Sequence, residues 1–478
     1  MKRITKSFIF ILAVSMMIMS CGGKKDRPII ESVSAFLNEN DAIIAFGSAR
    51  IGEVLNKTNY QQEPKIKAFL SEPIGQLSSS INLDAPVYYA VEGPIVNGNP
   101  SATYLFAEIK DKNKLKENLE KNGFDIQKGK EFEFVQDGDM NLSFDEKLAL
   151  IVIKNGVEKP ESMLAEMRKK TYGDLSSGVV ASVLNKKGDI VMGSSLANLY
   201  GTSNTDLENL SADKQKELKE MMNNSFIESE IRFENGEIVM ETVNHFSDAL
   251  KNKMFLRKES SAKVLDHLGN GSPRVGIAMN LDTKKLNEFL TDYAPNAMMD
   301  LSKQIGGSFA MAMMMVNYDI SKLIDGRAGA LVVGDAAQIM EGMSPDFNFF
   351  VGLAGQGKTF GETLKSAIVD KFKVVNLTNE GISGFSNSNY AGKGIVLSEA
   401  AKGFGENSFD LFIDLDGLDM EEFQLDGGSK MVEVVKCIRL SADINGAKLV
   451  IKAKDGKENI LNQMFKKALN VFEDELAL

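Results

Sequence analysis

The sequence predicts an α+β protein of two related domains, each a mostly antiparallel sheet with helices packed on one side. Three observations lead there. Alternating apolar runs meet at Asn235-Gly236 and Asn445-Gly446, a dipeptide that favours the two-residue antiparallel hairpin. Segments of helical period lie between strands joined by hairpins and meanders, which places helices against antiparallel sheets. The order of elements in the first half then recurs in the second. At 478 residues the chain is too long for one ordinary core and suits two or three domains.

The chain begins with a segment that is not part of either domain. Lys2, Arg3 and Lys6 lead into an apolar run over residues 7–19, and Ser20 stands before Cys21. The run is shorter than the roughly 20 residues a spanning helix needs. Basic head, short apolar stretch and small residue before cysteine make a lipoprotein signal: residues 1–20 are removed and the Cys21 thiol carries the lipid. Two or three acyl chains, at about 0.8 kcal/mol per buried CH₂, hold such a protein firmly to a leaflet. Residues 21–40 form a polar tether and a lead-in segment of helical character.

The first domain is expected over 41–256. Residues 41–47 read as a strand and 48–56 as a helix with Ile51, Val54 and Leu55 on one face. Residues 85–91 and 102–109 read as strands. Residues 110–121 form a charged amphipathic helix closed by Gly123, its lysines a solvated face. The hairpin of residues 229–242 ends the half. A linker over 257–273 follows, marked by Gly269-Asn-Gly-Ser-Pro273. The second domain, 274–478, repeats the plan: a strand at 274–280, a helix at 282–290, strands at 326–333 and 346–351, a helix through 363–369, and the hairpin of 438–451 leading into a last helix. Between them, Met311, Met313 and Met315 alternate, so 309–316 reads as a buried strand with a soft methionine stripe. A copper(I) thioether site is the functional reading of the same residues; the core stripe is preferred.

Composition excludes several classes. The net charge is −11, and loss of the signal's three basic residues takes it to −14; no basic face for nucleic acid stands out. With two cysteines in all and Cys21 lipidated, Cys437 has no partner, so a disulfide framework is excluded and a buried structural thiol is expected. Two histidines, His245 and His267, supply neither a zinc-hydrolase ligand set nor a Ser-His-Asp arrangement.

Two motifs resemble chemistry. Gly352-Leu-Ala-Gly-Gln-Gly357-Lys358-Thr359 fits the phosphate-loop pattern, with Gly352, Gly357, Lys358 and Thr359 at its defining positions. The signal directs the chain away from the ATP-rich compartment, the first half has no glycines at the equivalent place, and true phosphate loops sit in parallel sheets. Nucleotide is therefore not the expected ligand. Asp414, Asp416 and Asp419 form an acidic turn that invites Ca²⁺, but Gly417 comes too early for the EF-hand pattern, and a solvated strand end is preferred. No cofactor and no metal is expected.

The lipobox, the duplicated layout and the phrases Asp41-Ala-Ile-Ile-Ala-Phe, Asn82-Leu-Asp-Ala-Pro-Val-Tyr, Lys147-Leu-Ala-Leu-Ile-Val-Ile and Lys454-Asp-Gly-Lys-Glu-Asn-Ile-Leu resemble a family of Bacteroidota lipoproteins with a domain of unknown function. The resemblance covers nearly the whole mature chain and brings no catalytic residues with it. The functional expectation is a non-enzymatic binding or scaffolding module, held by its lipid at the cell envelope, at the outer membrane, with an unidentified envelope protein or ligand as partner. The alternative is an extracytoplasmic enzyme, either a carboxylate-based hydrolase or a nucleotide-binding protein using the Gly352–Thr359 loop.

Overall fold

The computed structural model describes residues 29–476 apart from 63, 97–98, 155–159, 172–178, 201–209, 258–259, 295, 306, 334–345, 360–374, 380–381, 387–393 and 417–432. Cys21 and the tether, the helix expected at 363–369, and Asp419 lie outside the described residues. The fold is α+β with antiparallel sheet pairing. Among the described residues no helix is long and apolar enough to cross a membrane.

The chain forms two compact units that are not its consecutive halves. Unit 1 takes residues up to Glu208, Met222–Asn235 and Lys457–Leu478; unit 2 takes Asn209–Met221 and Gly236–Gly456. The division therefore does not fall at 257–273. Residues 236–256 join the second unit because their strand pairs there, and the last helix, Ile460–Leu476, joins the first because Phe465 packs into that unit's core.

Unit 1 contains the strands β1 (Ile43–Ala49), β2 (Val87–Val96), β3 (Asn99–Glu108), β4 (Gln127–Lys128), β5 (Glu133–Asp137), β6 (Met140–Phe144), β7 (Leu148–Ile153), β8 (Ile190–Ser195) and β9 (Phe226–Glu234). They pair antiparallel in the order β4-β5-β6-β7-β3-β2-β1-β8-β9. Its helices are α1 (Ile29–Asn38), α2 (Ile51–Lys57), α3 (Pro64–Ser80), α4 (Lys112–Lys121), α5 (Pro160–Thr171), α6 (Val179–Leu184) and α7 (Leu196–Tyr200), besides the last helix. Asp111 starts α4 by accepting the backbone N–H groups of Asn113 and Lys114, the usual service of an N-cap carboxylate.

Helices cover both sides of this sheet, which corrects the one-sided packing expected from the sequence. Leu148, Leu150 and Val152 of β7 join Phe36 of α1 and Leu164 of α5 in one core, while Ala149 and Ile151 join Leu77 of α3 and Leu115 of α4 in another. The cause is in the strand itself. Leu148-Ala-Leu-Ile-Val-Ile153 is apolar at both parities, and successive side chains point to opposite faces, so both faces need cover.

Unit 2 contains β10 (Glu237–His245), β11 (Asn270–Gly271), β12 (Pro273–Asn280), β13 (Ile324–Val333), β14 (Asp346–Leu353), β15 (Val375–Asn379), β16 (Ile382–Ser386), β17 (Gly394–Ile395), β18 (Phe409–Asp414), β19 (Val435–Asp443) and β20 (Gly446–Ala453). Apart from a small parallel β11–β17 ribbon, they run antiparallel in the order β15-β16-β14-β13-β12-β18-β19-β20-β10. Starting from β12, this order matches that of unit 1 starting from β1: β6-β7-β3-β2-β1-β8-β9 corresponds to β15-β16-β14-β13-β12-β18-β19. The helices are α8 (Ala212–Met222), α9 (Asp248–Lys253), α10 (Ala262–Leu265), α11 (Thr283–Tyr293), α12 (Ala297–Ile305), α13 (Gly307–Met315) and α14 (Gly355–Thr359). Here too the two parities of one strand serve two cores. Phe349 packs with Met298 and Met313, and Phe350 with Val264, Leu268 and Phe412.

The buried strand expected at 309–316 is instead α13. Met and Ala are strong helix formers and the stretch 309–315 holds no β-branched residue; the Met-Ala alternation imitates a period of two without the residue types that sustain a strand. Ala312, Met313 and Val316 are buried, whereas Met311, Met314 and Met315 are exposed. Cys437 is a free, buried thiol on β19. Burial pushes its pKa up, as befits an inert structural cysteine.

Candidate functional site

The site worth building lies in unit 2, where the chain leaves β12. Asn280 ends that strand, and its carbonyl accepts the N–H of Arg257 at 3.1 Å. Asp282 donates its own N–H to the Phe255 carbonyl at 2.6 Å. The segment around residues 255–257 is thereby fastened beside the start of α11. Asp282 caps that helix, its carboxylate accepting the Lys285 N–H at 3.1 Å. Lys285 follows on the first turn.

The opposite wall comes from the start of β13. Gly326 has φ +95°, and a Cβ there would meet the Leu281 carbonyl oxygen at 1.8 Å; only glycine permits that approach. In return the Leu281 N–H donates to the Gly326 carbonyl at 2.9 Å. This close contact sets Asp325 and Arg327 beside Arg257. The Arg257 guanidinium donates to the Asp325 carbonyl at 3.0 Å, and the Asp325 carboxylate accepts from both the Arg327 backbone N–H and its guanidinium.

These elements enclose a cavity of about 680 Å³ whose lining includes Arg257, Ser260, Asn280, Asp282, Lys285 and Arg327. Its charge is unevenly spent. Arg327 is neutralised by Asp325. Arg257 and Lys285 have no carboxylate partner within salt-bridge distance among the described residues, and Asp282 is the one carboxylate in the lining. The described lining is net positive, beside the N-terminal end of an eleven-residue helix, where the dipole also favours negative charge. Guanidinium and ammonium groups in such a setting make charge-assisted hydrogen bonds to carboxylate or phosphate oxygens. The described lining combines these cations with the hydroxyl of Ser260 and the amide of Asn280, groups that can hold an anion by hydrogen bonds.

A second cavity, about 540 Å³ in unit 1, is lined by Lys57, Asn59, Glu458 and Asn462 among others. Of its two lysines, Lys57 and Lys457, the first is already committed: Lys57 pairs with both carboxylate oxygens of the buried Asp189 at 2.6 Å. Among the described residues no cluster of three or more His, Cys, Asp and Glu could hold a metal ion.

The motifs singled out in the sequence lie elsewhere in the unit. Gly352 and Leu353 end β14, Gly355–Thr359 is α14, and Ala354 alone stands between. No open loop remains to wrap a phosphate. Both neighbours of β14 run antiparallel to it. Gly357 has a packing reason to be glycine, since a Cβ would meet the Leu323 carbonyl oxygen at 1.8 Å. Lys358 is exposed. Asp414 is buried, accepts from Ser398 and lies 3.6 Å from Arg274, while Asp416 pairs with Lys436 at 3.3 Å. These two acids are thus already answered by cations and a hydroxyl. Sequence reasoning missed Arg257, Lys285 and Arg327. The one local signal was Asp282 as a helix start; nothing in the spacing joins positions 257, 285 and 327.

No protein-family model matches the chain, and no curated protein matches it. Among solved structures it is similar to TP0453 in three crystal forms. Form I gives a TM-score of 0.28 at 10% identity, covering 47% of this chain and 81% of that one. Form III gives 0.29 at 11% with the same coverages, and form IV 0.27 at 11%, covering 43% and 77%. Likeness of this degree carries no argument about function.

Proposed function

We propose that this chain is a lipid-anchored cell-envelope protein of the Bacteroidota lipoprotein type, a non-enzymatic binding module whose second unit holds a small anion bearing a carboxylate or a phosphate. The observation that carries the ligand class is the pair Arg257 and Lys285, two cations without a carboxylate partner among the described residues, lining one cavity beside a helix N-terminus. The signal and Cys21 support the anchor, and the outer membrane is the destination this reading assigns. The matching strand orders of the two units support an origin by duplication.

Two experiments test the two parts separately. Labelled palmitate is expected to enter the wild type and not Cys21→Ala; label persisting in the variant refutes the anchor. Titration of the full chain with inorganic phosphate and with succinate, followed by calorimetry, is expected to show saturable binding of one of them. A charged hydrogen bond contributes about 1.5–3 kcal/mol, so Arg257→Ala or Lys285→Ala is expected to weaken binding by roughly 10–150-fold. Binding by neither anion, or binding indifferent to both substitutions, refutes the ligand class and leaves the anchor untouched.

A further inference from the structure

Three of the methionines of α13 do not serve the core. Met311, Met314 and Met315 are 47%, 57% and 55% exposed, while Ala312, Met313 and Val316 between and after them are buried. The spacing i, i+3, i+4 puts the three on adjacent turns of one helix face, where neighbouring Cβ atoms lie about 5–6 Å apart. Each carries a long, unbranched side chain ending in a soft thioether sulfur, able to turn toward a common point.

We propose that Met311, Met314 and Met315 form a surface site for a monovalent soft metal ion, copper(I) above all. Thioether sulfur selects copper(I) over the hard and borderline ions that dominate outside the cytosol. The fold supplies the convergence. As a strand, the same residues would send Met311, Met313 and Met315 to one side and Met314 to the other. As a helix, it takes Met313 into the core beside Phe349 and leaves Met314 with the other two. An exposed hydrophobic triad also has a cheaper alternative, leucine, which matches methionine in volume and helix propensity. That makes sulfur itself the testable quantity.

The experiment is an anaerobic titration of the full chain with copper(I), held in competition with a bathocuproine chelator. The wild type is expected to retain one equivalent. The Met311→Leu, Met314→Leu, Met315→Leu triple variant is expected to bind at least tenfold more weakly, with unchanged helical circular dichroism, and each single variant is expected to fall between. Met313→Leu, in the buried face of the same helix, is expected to match the wild type. Thiol binding at Cys21 or Cys437 is common to all variants and leaves no difference between them. If the wild type yields all its copper(I) to the chelator, or the triple leucine variant holds it equally well, the proposal is overturned; in the second case the face is simply apolar.

Discussion

Replacing Gly357 by alanine separates two accounts of the Gly352–Thr359 stretch. In the structure the added methyl would stand 1.8 Å from the Leu323 carbonyl oxygen and 2.7 Å from its carbon. That same oxygen accepts the Ala354 N–H at 2.9 Å, so the backbone cannot yield without losing a hydrogen bond. Overpacking a filled site costs about 1–3 kcal/mol, and a buried donor left unpaired costs about 1–3 kcal/mol more. Alanine returns about 1 kcal/mol of helix propensity. The net expectation is a loss of about 1–5 kcal/mol in unit 2. With a urea dependence of about 2 kcal/mol per molar, a loss near the centre of that range lowers the unfolding midpoint by about 1.5 M. Lys358→Ala, on an exposed side chain, is expected to leave the midpoint alone. Urea unfolding by far-ultraviolet circular dichroism, with calorimetric titration of ATP·Mg²⁺ on both variants, reads the difference. An unshifted midpoint in Gly357→Ala would refute the packing argument. Saturable ATP·Mg²⁺ binding abolished by Lys358→Ala would restore the phosphate loop.

Two further predictions concern ionisable groups of unit 2. Burial raises the Asp410 carboxyl above its ordinary 3.8, against the lowering effect of hydrogen bonds from Asn407 and Gly405. A folded pKa above the unfolded one means that this contribution to stability is complete below pH 3.8 and is lost as pH rises through the folded value. The stability of Asp410→Asn relative to wild type is therefore expected to improve between pH 3.5 and pH 7 in urea titrations; a pH-independent difference contradicts this. Cys437, buried and with its pKa raised, is expected to resist Ellman's reagent in the native chain and to react promptly in urea. Equal rates in both would place it at the surface.

Local chemistry was well legible in this sequence. The helices expected at 110–121 and 282–290 form, and Asp111 and Asp282 stand at their starts, where a capping carboxylate acts on N–H groups two or three residues away. The Asn445-Gly446 turn announced the β19–β20 hairpin for the same reason of short range. The methionines of α13 were misread because apolar residues on consecutive positions satisfy a period of two and a period of 3.6 alike. The residue types, helix formers without a β-branched member, were the local signal, and packing of Met313 against Phe349 fixes which face is buried. The phosphate-loop pattern was legible as letters, but its meaning depends on whether the flanking strand's neighbours run parallel.

The sequence alone determined the Asn-Gly hairpin, the antiparallel character of the sheets and a chain of high net negative charge, since each follows from neighbouring residues or from composition. Tertiary structure decided that helices cover both faces, that the last helix returns to the first unit, and that Arg257, Lys285 and Arg327 share one cavity. The reason is physical. Contacts between residues far apart in the chain depend on which surfaces bury one another, and no spacing along the backbone encodes that choice.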